Sequence, residues 1–393
     1  MAPSTVSQPF PGGHIGDARL FLLALGCLLI ALVWLGVAAL LHRRKLRAVP
    51  IRIHVAGARG KSTVTRMIAA GLRSSGLRVI AKATGSEPRL ILPDGSEEVW
   101  PRRGPASVRE QMRFLARAAR EGARAVVVEC MAVRPEFIWA SEAHLVRATL
   151  SVITNARPDH FEELGASPQA MEQALAFVIP AGGRLILSSE AATPHMLAVA
   201  KERGCAVTIA PTNGCDPLET NRRVALAACE ALGFDPKAAA QGIDHAGEDP
   251  GQFFMQNLTL EGARFQFFNA FACNDVASLE ALWTARRSQA PATVLLNARR
   301  DRPLRTQHFL EFLASQTPRP RLYVTGDPLA LRLARRAGFP TREINALKAR
   351  DAKATFRELA ADAGPDGEVW GMGNYQGAGR DLIALARHKA QPC

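Results

Sequence analysis

A short glycine-rich loop ending in lysine, serine and threonine, GARGKST at Gly57–Thr63, follows an apolar run (IRIHV, 51–55) and opens an amphipathic stretch. Residues in this order can hold phosphate. Glycines let backbone N–H groups approach an anion closely, and a helix N-terminus adds partial positive charge. Gly57, Ala58, Arg59 and Gly60 would offer backbone amides. Lys61 would reach the β- and γ-phosphates of ATP, and Ser62 or Thr63 would hold Mg²⁺. The eight-residue form of the pattern wants glycine where Val55 stands, whereas the shorter G-x-x-G-K-S-T form is intact. Alone that short form is a weak signal; a strand before it and a helix after it make it specific.

Other polar groups fall at the ends of apolar runs, where parallel sheets place their ligand sites. Glu129 closes AVVVE among apolar neighbours, so its carboxylate needs a partner, and Mg²⁺ carried by ATP is one. SVITNARPDH places Asn155, Asp159 and His160 after a second run, and KATG places Lys82, Thr84 and Gly85 after a third. A lone histidine is more often a satisfied structural group, but His160 follows an Asn and an Asp in a Pro-containing loop. Further on, NAFACNDVAS offers Asn274 and Asp275, and LLNARRDRPLRT offers Arg300, Asp301 and Arg302. By itself that Arg-rich stretch reads as a solvated loop.

The elements that must position these groups alternate. Strands are expected at 51–55, 78–82, 125–130, 149–154 and 184–188, with amphipathic helices at Ser62–Ser74, Ala106–Glu121 and Pro168–Phe177 between them. That is the pattern of parallel βαβ units with helices on both faces. A hairpin (252–260 with 263–269) opens a second set. A helix from Asp275, a strand at 293–297, a helix from Thr306, a strand at 321–325, and a strand–helix pair at 368–371 and Gly377–Arg387 follow it. The Gly/Pro/Asp cluster at Gly242–Pro250 breaks both periodicities. The expected layout is a tail at 1–19, a transmembrane helix at 20–41, a P-loop domain at 50–245 and a smaller α/β domain at 246–393.

Leu20–Leu41 carries no charged side chain, and as a helix it covers about 33 Å, enough for a hydrocarbon core of ~30 Å. Positive charge follows it, in His42-Arg43-Arg44-Lys45-Leu46-Arg47, which argues against a cleaved signal peptide and places the rest of the chain in the cytoplasm. An ATP site needs the same side. Seven scattered cysteines form no CxxC pair, so there is no zinc signature. The net charge of +13 suits a polyanionic partner, an anionic lipid or an Arg-rich proteome; without basic runs interleaved with aromatics, no nucleic-acid partner is expected.

Together these residues resemble the Mur ligase superfamily, the ATP-dependent amide ligases of peptidoglycan synthesis and folylpolyglutamate synthase. The matching segments are Gly57–Thr63, the strand-ending Glu129, and T-N-x-x-x-D-H at Thr154–His160. Asn274 lies in a segment similar to A-H-N-P-x-S, and Asp301-Arg302 to a D-R pair near the nucleotide. RIHVAGARGKSTVTR, AKATGSEPRLILPDGSEE, VVVECMAVRPEF and VITNARPDHFEELG, in that order, are similar to the CapB/PgsB subunit of poly-γ-glutamate synthase. The chain departs from the superfamily in two places. No lysine lies between Lys82 and Lys201, where many members carry a carbamoylated one, and Pro250-Gly251-Gln252 stands for P-G-R.

The resemblance implies a fold of a P-loop central domain and a smaller α/β domain behind a membrane helix. It implies ATP and Mg²⁺, with Ser62, Thr63, Glu129 and His160 at the metal. Lys61, Glu129 and His160 would be catalytic, Asn155, Asn274, Asp301 and Arg302 near the nucleotide, and Thr84 and Gly85 near substrate. Glutamate and poly-γ-glutamate would be the substrates, with a small multi-span CapC/PgsC-type membrane subunit as partner at the plasma membrane. A membrane-anchored ATPase that powers export or assembly without forming a bond is the alternative from another class. Oligomeric state and the D or L form of the glutamate stay open.

Overall fold

The structure is a computed structural model that describes residues 14–85, 87–102, 104–157, 167–249, 251–273, 276–288, 290–340, 344–346 and 351–390. It opens with one long helix, α1 (His14–Ala48). Eight strands then build a first sheet: β1 (Ile51–Ala56), β2 (Val79–Ala83), β3 (Arg89–Ile91), β4 (Glu97–Val99), β5 (Ala125–Glu129), β6 (Leu150–Ile153), β7 (Arg184–Ser188) and β8 (Ala206–Ala210). Their order is β4-β3-β2-β5-β1-β6-β7-β8. All pairings from β2 to β8 are parallel.

β2, β5 and β6 are buried along their whole length, as strands covered on both faces must be. Side chains alternate between two helical layers. Ala125 and Val127 pack with Val64, Ile68 and Leu72 of α2 (Lys61–Ser74). Val126 and Val128 pack with Phe114 and Leu115 of α3 (Glu110–Arg120). The order reverses at β1: the chain passes to β2 and β5 on one side and to β6 on the other. The carboxyl end of β1 is therefore the switch point of the sheet, the place such folds reserve for ligands, and the GARGKST loop leaves from it.

The structure differs from the sequence-based expectation at the sheet edges. β3 and β4 form an antiparallel hairpin on β2, closed by a turn through Gly95. At three residues each they are too short to show a period. β8 at the opposite edge was not anticipated either; Val207 and Ile209 remain 37% and 47% exposed, so its pattern is not that of a buried strand.

The second sheet comprises β9 (Phe254–Leu260), β10 (Ala263–Ala270), β11 (Thr293–Ala298), β12 (Arg321–Gly326), β13 (Ile344–Ala346) and β14 (Gly367–Gly373). Their order is β13-β12-β11-β14-β10-β9, parallel except for the β9–β10 hairpin. Phe268 stacks on Trp370 with ring centroids 4.2 Å apart, and Trp283 packs on the same indole. The helix after β11 starts at Pro303, one turn before the expected Thr306. Proline suits a first helical turn because its missing N–H has no partner there.

α1 is apolar and exposed from Leu20 to Leu41, and Arg19–Ala48 has the length and hydropathy to cross a membrane. The basic run after Leu41 is not a flexible flank; it is the last two turns of the same helix, and these turns join the domain. His42 and Leu46 are buried, and His42 Nε2 donates to Leu145 O at 2.8 Å. The final carbonyls of a helix lack internal partners, and Arg52 supplies donors here. Its guanidinium reaches Leu46 O at 3.0 Å and Val49 O at 2.8 Å, and also Arg147 O at 3.0 Å. One side chain thus clasps the helix end to the sheet.

Beneath that clasp His54, on β1 and fully buried, contacts Glu142 Oε2 at 2.8 Å, while Glu142 Oε1 accepts from Ala148 N–H. Burial disfavours the imidazolium, but Cys130 and the Glu142 carboxylate outweigh it and raise His54 to about 10. A raised pKa stabilises the fold fully below the unfolded value of ~6.5 and is lost as pH rises through the folded value. Unfolding of the detergent-solubilised chain should therefore become easier as pH rises from ~6.5 toward about 10. Glu142→Gln should lower stability at pH 6.5 and flatten that slope. Parallel melting-temperature profiles for the two proteins would show that the pair is not ionised.

Candidate nucleotide and metal site

The phosphate loop bends where its glycines allow. Gly57 and Gly60 have φ of 135° and 78°, in the region that side chains disfavour. A Cβ on Gly57 would lie 2.1 Å from Thr154 Oγ1, so the loop and the end of β6 close on each other only with glycine there. Asn155 holds the loop from the β6 side. Its Oδ1 accepts from Arg59 N–H and its Nδ2 donates to Arg59 O, each at 3.1 Å, while Ala58 N–H donates to Asn155 O. Asn155, a candidate nucleotide contact, is thus engaged as the brace of the phosphate loop.

At the loop's helical end, Lys61 Nζ donates to Gly57 O at 2.7 Å and Ala58 O at 3.1 Å. Ser62 Oγ donates to Glu129 Oε2 at 2.8 Å, and Thr84 N–H donates to the same oxygen. The ends of β2 and β5 and the start of α2 therefore meet at one buried carboxylate. Gly85 must be glycine: a Cβ there would sit 2.4 Å from Ser62 Oγ. Lys82 does not join the site as an open cation. It is fully buried, and its Nζ bonds Glu110 Oε2 at 2.9 Å beside the Trp100 ring. Its pKa is lowered chiefly by burial, with Glu110 opposing.

A cavity of about 300 Å³ joins the two sheets here, lined by Gly57, Lys61, Thr84, Gly85 and Glu129 on one side and by Arg299, Arg302 and Arg305 on the other. Arg302 was anticipated from the sequence; Arg299 and Arg305 were not. The signal was there in the spacing of three, one helical turn, from Arg302 to Arg305. Asp301 does not line the cavity. It pairs with Arg299 at 2.6 Å on the open surface, and that hydrogen bond holds its carboxyl below the usual range. Arg300 is exposed. Asp159, His160, Asn274, Asp275 and Pro250 lie outside the described residues.

Sequence reasoning also missed a buried arginine that ties the first sheet to the segment leading into the second. Arg66 of α2, 2% exposed, donates to both oxygens of Glu97 on β4, at 2.7 and 3.0 Å. It also donates to Asp249 Oδ2 at 3.1 Å, in the segment between the sheets. Glu97 and Asp249 together with its hydrogen bonds keep Arg66 charged despite burial.

The groups present fit a nucleotide and a hard cation. Four cationic side chains and the glycine cradle suit a polyphosphate. Among the described residues no three His, Cys, Asp or Glu side chains cluster as a metal cage. A hydroxyl and a carboxylate, Ser62 and Glu129, stand together instead, which matches a cation that takes few protein oxygens and completes its shell with phosphate and water.

Residues 55–223 match the Mur ligase middle domain, and residues 255–389 match the poly-gamma-glutamate synthase CapB C-terminal domain. PGA synthase CapB of Bacillus subtilis (strain 168) is 28% identical over 360 residues, covering 87% of this chain and 91% of that protein. The capsule biosynthesis protein CapB of Bacillus anthracis is 27% identical over 362 residues, covering 88% and 78%. Among solved structures, E. coli FolC in complex with ADP superposes with a TM-score of 0.64 at 18% identity, covering 90% of this chain and 93% of that one. The bifunctional folylpolyglutamate synthase/dihydrofolate synthase from Yersinia pestis, complexed with AMPPNP and Mn ion, gives 0.63 at 17%, covering 88% and 92%. These two likenesses concern the fold alone. The chain thus joins a domain matching the Mur ligase middle domain to one matching the CapB C-terminal domain, and is an ATP-dependent amide-bond-forming ligase.

Proposed function

We propose that the chain extends poly-γ-glutamate through an acyl phosphate, anchored by α1 with its two domains, 50–245 and 246–393, in the cytoplasm. The observation that carries this reading is the meeting of Lys61 and of Glu129, which Ser62 holds, with Arg299, Arg302 and Arg305 around one cavity. In this reading ATP lies with its triphosphate on Gly57–Thr63. An oxygen of the acceptor's terminal carboxylate attacks the γ-phosphorus, the bond to ADP breaks, and an acyl phosphate forms. The amine of the next glutamate then attacks that carbonyl, inorganic phosphate leaves, and the amine proton passes to solvent. A carboxylate has no good leaving group of its own; the phosphoryl group supplies one.

The chain's own residues position and neutralise. Lys61 offsets charge on the γ-phosphate, and Arg302 and Arg305 do so from the second domain. Ser62 and Glu129 would hold Mg²⁺, with Thr63 and His160 as further candidate ligands; the ion would supply further charge neutralisation at the phosphates. Asn155 fixes the loop, Asn274 is a further candidate neighbour of the nucleotide, Asp301 acts only through its pair with Arg299, and Thr84 and Gly85 border the acceptor. A polymer made beside the bilayer cannot cross on one apolar helix. A small multi-span membrane subunit of the CapC type would receive it, packing against Gly26, Ala31, Gly36 and Ala38 of α1.

Membranes holding the chain, given ATP, Mg²⁺ and one amino acid at a time, should form polymer with glutamate. Phosphate release should depend on the amine acceptor; equal release without it would favour a motor over a ligase. Lys61→Ala should cut polymer synthesis more than tenfold, since tenfold equals only ~1.4 kcal/mol and a charge-assisted phosphate contact contributes more. Ser62→Ala and Glu129→Gln should raise the Mg²⁺ concentration for half-maximal activity more than they change metal-free ATP binding. Unchanged Mg²⁺ titrations would leave both residues structural. A reporter fused after Cys393 should be active only in the cytoplasm, and protease added to intact cells should leave both domains whole.

A further inference from the structure

A second cavity, of about 840 Å³, lies where α1 meets the first sheet, apart from the nucleotide site. Its walls carry Arg43 and Arg47 from α1, Arg52 from β1, Arg147 from the turn before β6, and Arg203 from the turn before β8. Among the described lining residues one carboxylate, Glu142, faces these five guanidinium groups. That carboxylate is already engaged by His54 and by the Ala148 N–H. Arg52 and Arg203 spend donors on backbone carbonyls, which are neutral, so their charge is not cancelled. The cavity is a cationic space in which five guanidinium groups outnumber one carboxylate that is already engaged.

Its position says which anion. Arg43 and Arg47 stand two and six residues past Leu41, roughly 3 and 9 Å along the helix axis. The polar layer on each side of a hydrocarbon core is roughly 5–8 Å deep. The same face presents aromatic rings: Trp139 and Phe177 line the cavity at 46% and 36% exposed, and Phe137, 46% exposed, lies two residues before Trp139. Aromatic rings beside arginines, level with the end of an apolar helix, are the composition of a membrane–water boundary. The cavity volume admits a phosphodiester headgroup with its glycerol. We propose that this cavity binds the phosphate headgroup of an anionic lipid from the leaflet that α1 leaves. The inference rests on α1 being the membrane anchor and on nothing about the reaction.

The test uses the full chain, purified in detergent and probed by native mass spectrometry with phosphatidylglycerol, phosphatidylcholine, inorganic phosphate and short poly-γ-glutamate. Wild type should retain phosphatidylglycerol in preference to phosphatidylcholine. Arg147→Gln with Arg203→Gln removes two charges from the wall and leaves the basic run of α1 intact. It should weaken that retention about tenfold or more. Ala181→Glu puts an acid on the rim, removes no hydrogen bond, and should do the same. Arg44→Gln with Arg120→Gln, at a separate depression on the domain, should retain the lipid as wild type does. Equal retention by all four proteins would overturn the proposal, leaving only lipid around the helix. Displacement by poly-γ-glutamate or phosphate at concentrations below those of phosphatidylglycerol would overturn it in favour of a soluble anion. Carbonate extraction separates the two readings: a chain released from membranes has lost the anchor, whereas a chain that stays while the cavity variants bind lipid normally has lost only this site.

Discussion

One buried carboxylate organises the carboxyl ends of the central strands in the first sheet. Glu129 ends β5 in an apolar setting, 3% exposed, and an ionised group there needs donors close by. Ser62 supplies a hydroxyl and Thr84 a backbone amide, so the ends of two neighbouring strands and the start of the loop helix are drawn to one oxygen. The missing side chain of Gly85 is part of the same constraint, because any Cβ would strike Ser62. Gln111 Nε2 adds a bond to the Glu129 carbonyl from α3. The phosphate loop is then shaped from the other side by Thr154 and Asn155.

The two domains meet through charge rather than through a shared apolar core. The apolar clusters of the two sheets are separate. What joins them near the site is Arg66 with Glu97 and Asp249, and the arginines of the second sheet that face Lys61 across the cavity. Like charges facing across a gap repel, and a polyanion bound between them would offset that repulsion. Arg66 differs from those arginines in its depth, at 2% exposed, and it ties α2 to the segment that leads into the second sheet.

The parts of this picture legible in the sequence are those with strong local signals. Strand-length apolar runs marked the parallel strands within a residue or two except β8 and β13 at the sheet edges, and G-x-x-G-K-S-T marked the phosphate loop. The antiparallel β3–β4 hairpin escaped because three-residue strands carry no period. Arg66 escaped because nothing local distinguishes a buried arginine on an amphipathic helix; its partners are 31 and 183 residues away. Lys82 misled for a related reason. Its place at a strand end looked open, but Glu110 on α3 approaches it only in three dimensions. Asp301 stood beside the right residues, yet its nearest cation, Arg299, turns it toward the surface.

The continuity of α1 into the first domain has a mechanical consequence. With His42 and Leu46 packed into the core and Arg52 holding the last carbonyls, no swivel lies between the apolar segment and the sheet. A domain on a loose tether would tumble and sample many heights above a surface. This one moves as a flag fixed to its pole: tilting or turning the helix turns the phosphate loop by the same angle. If the helix stands in a bilayer, the orientation of the catalytic cleft is inherited from the helix, and any neighbour that grips the helix also steers the direction in which the product leaves.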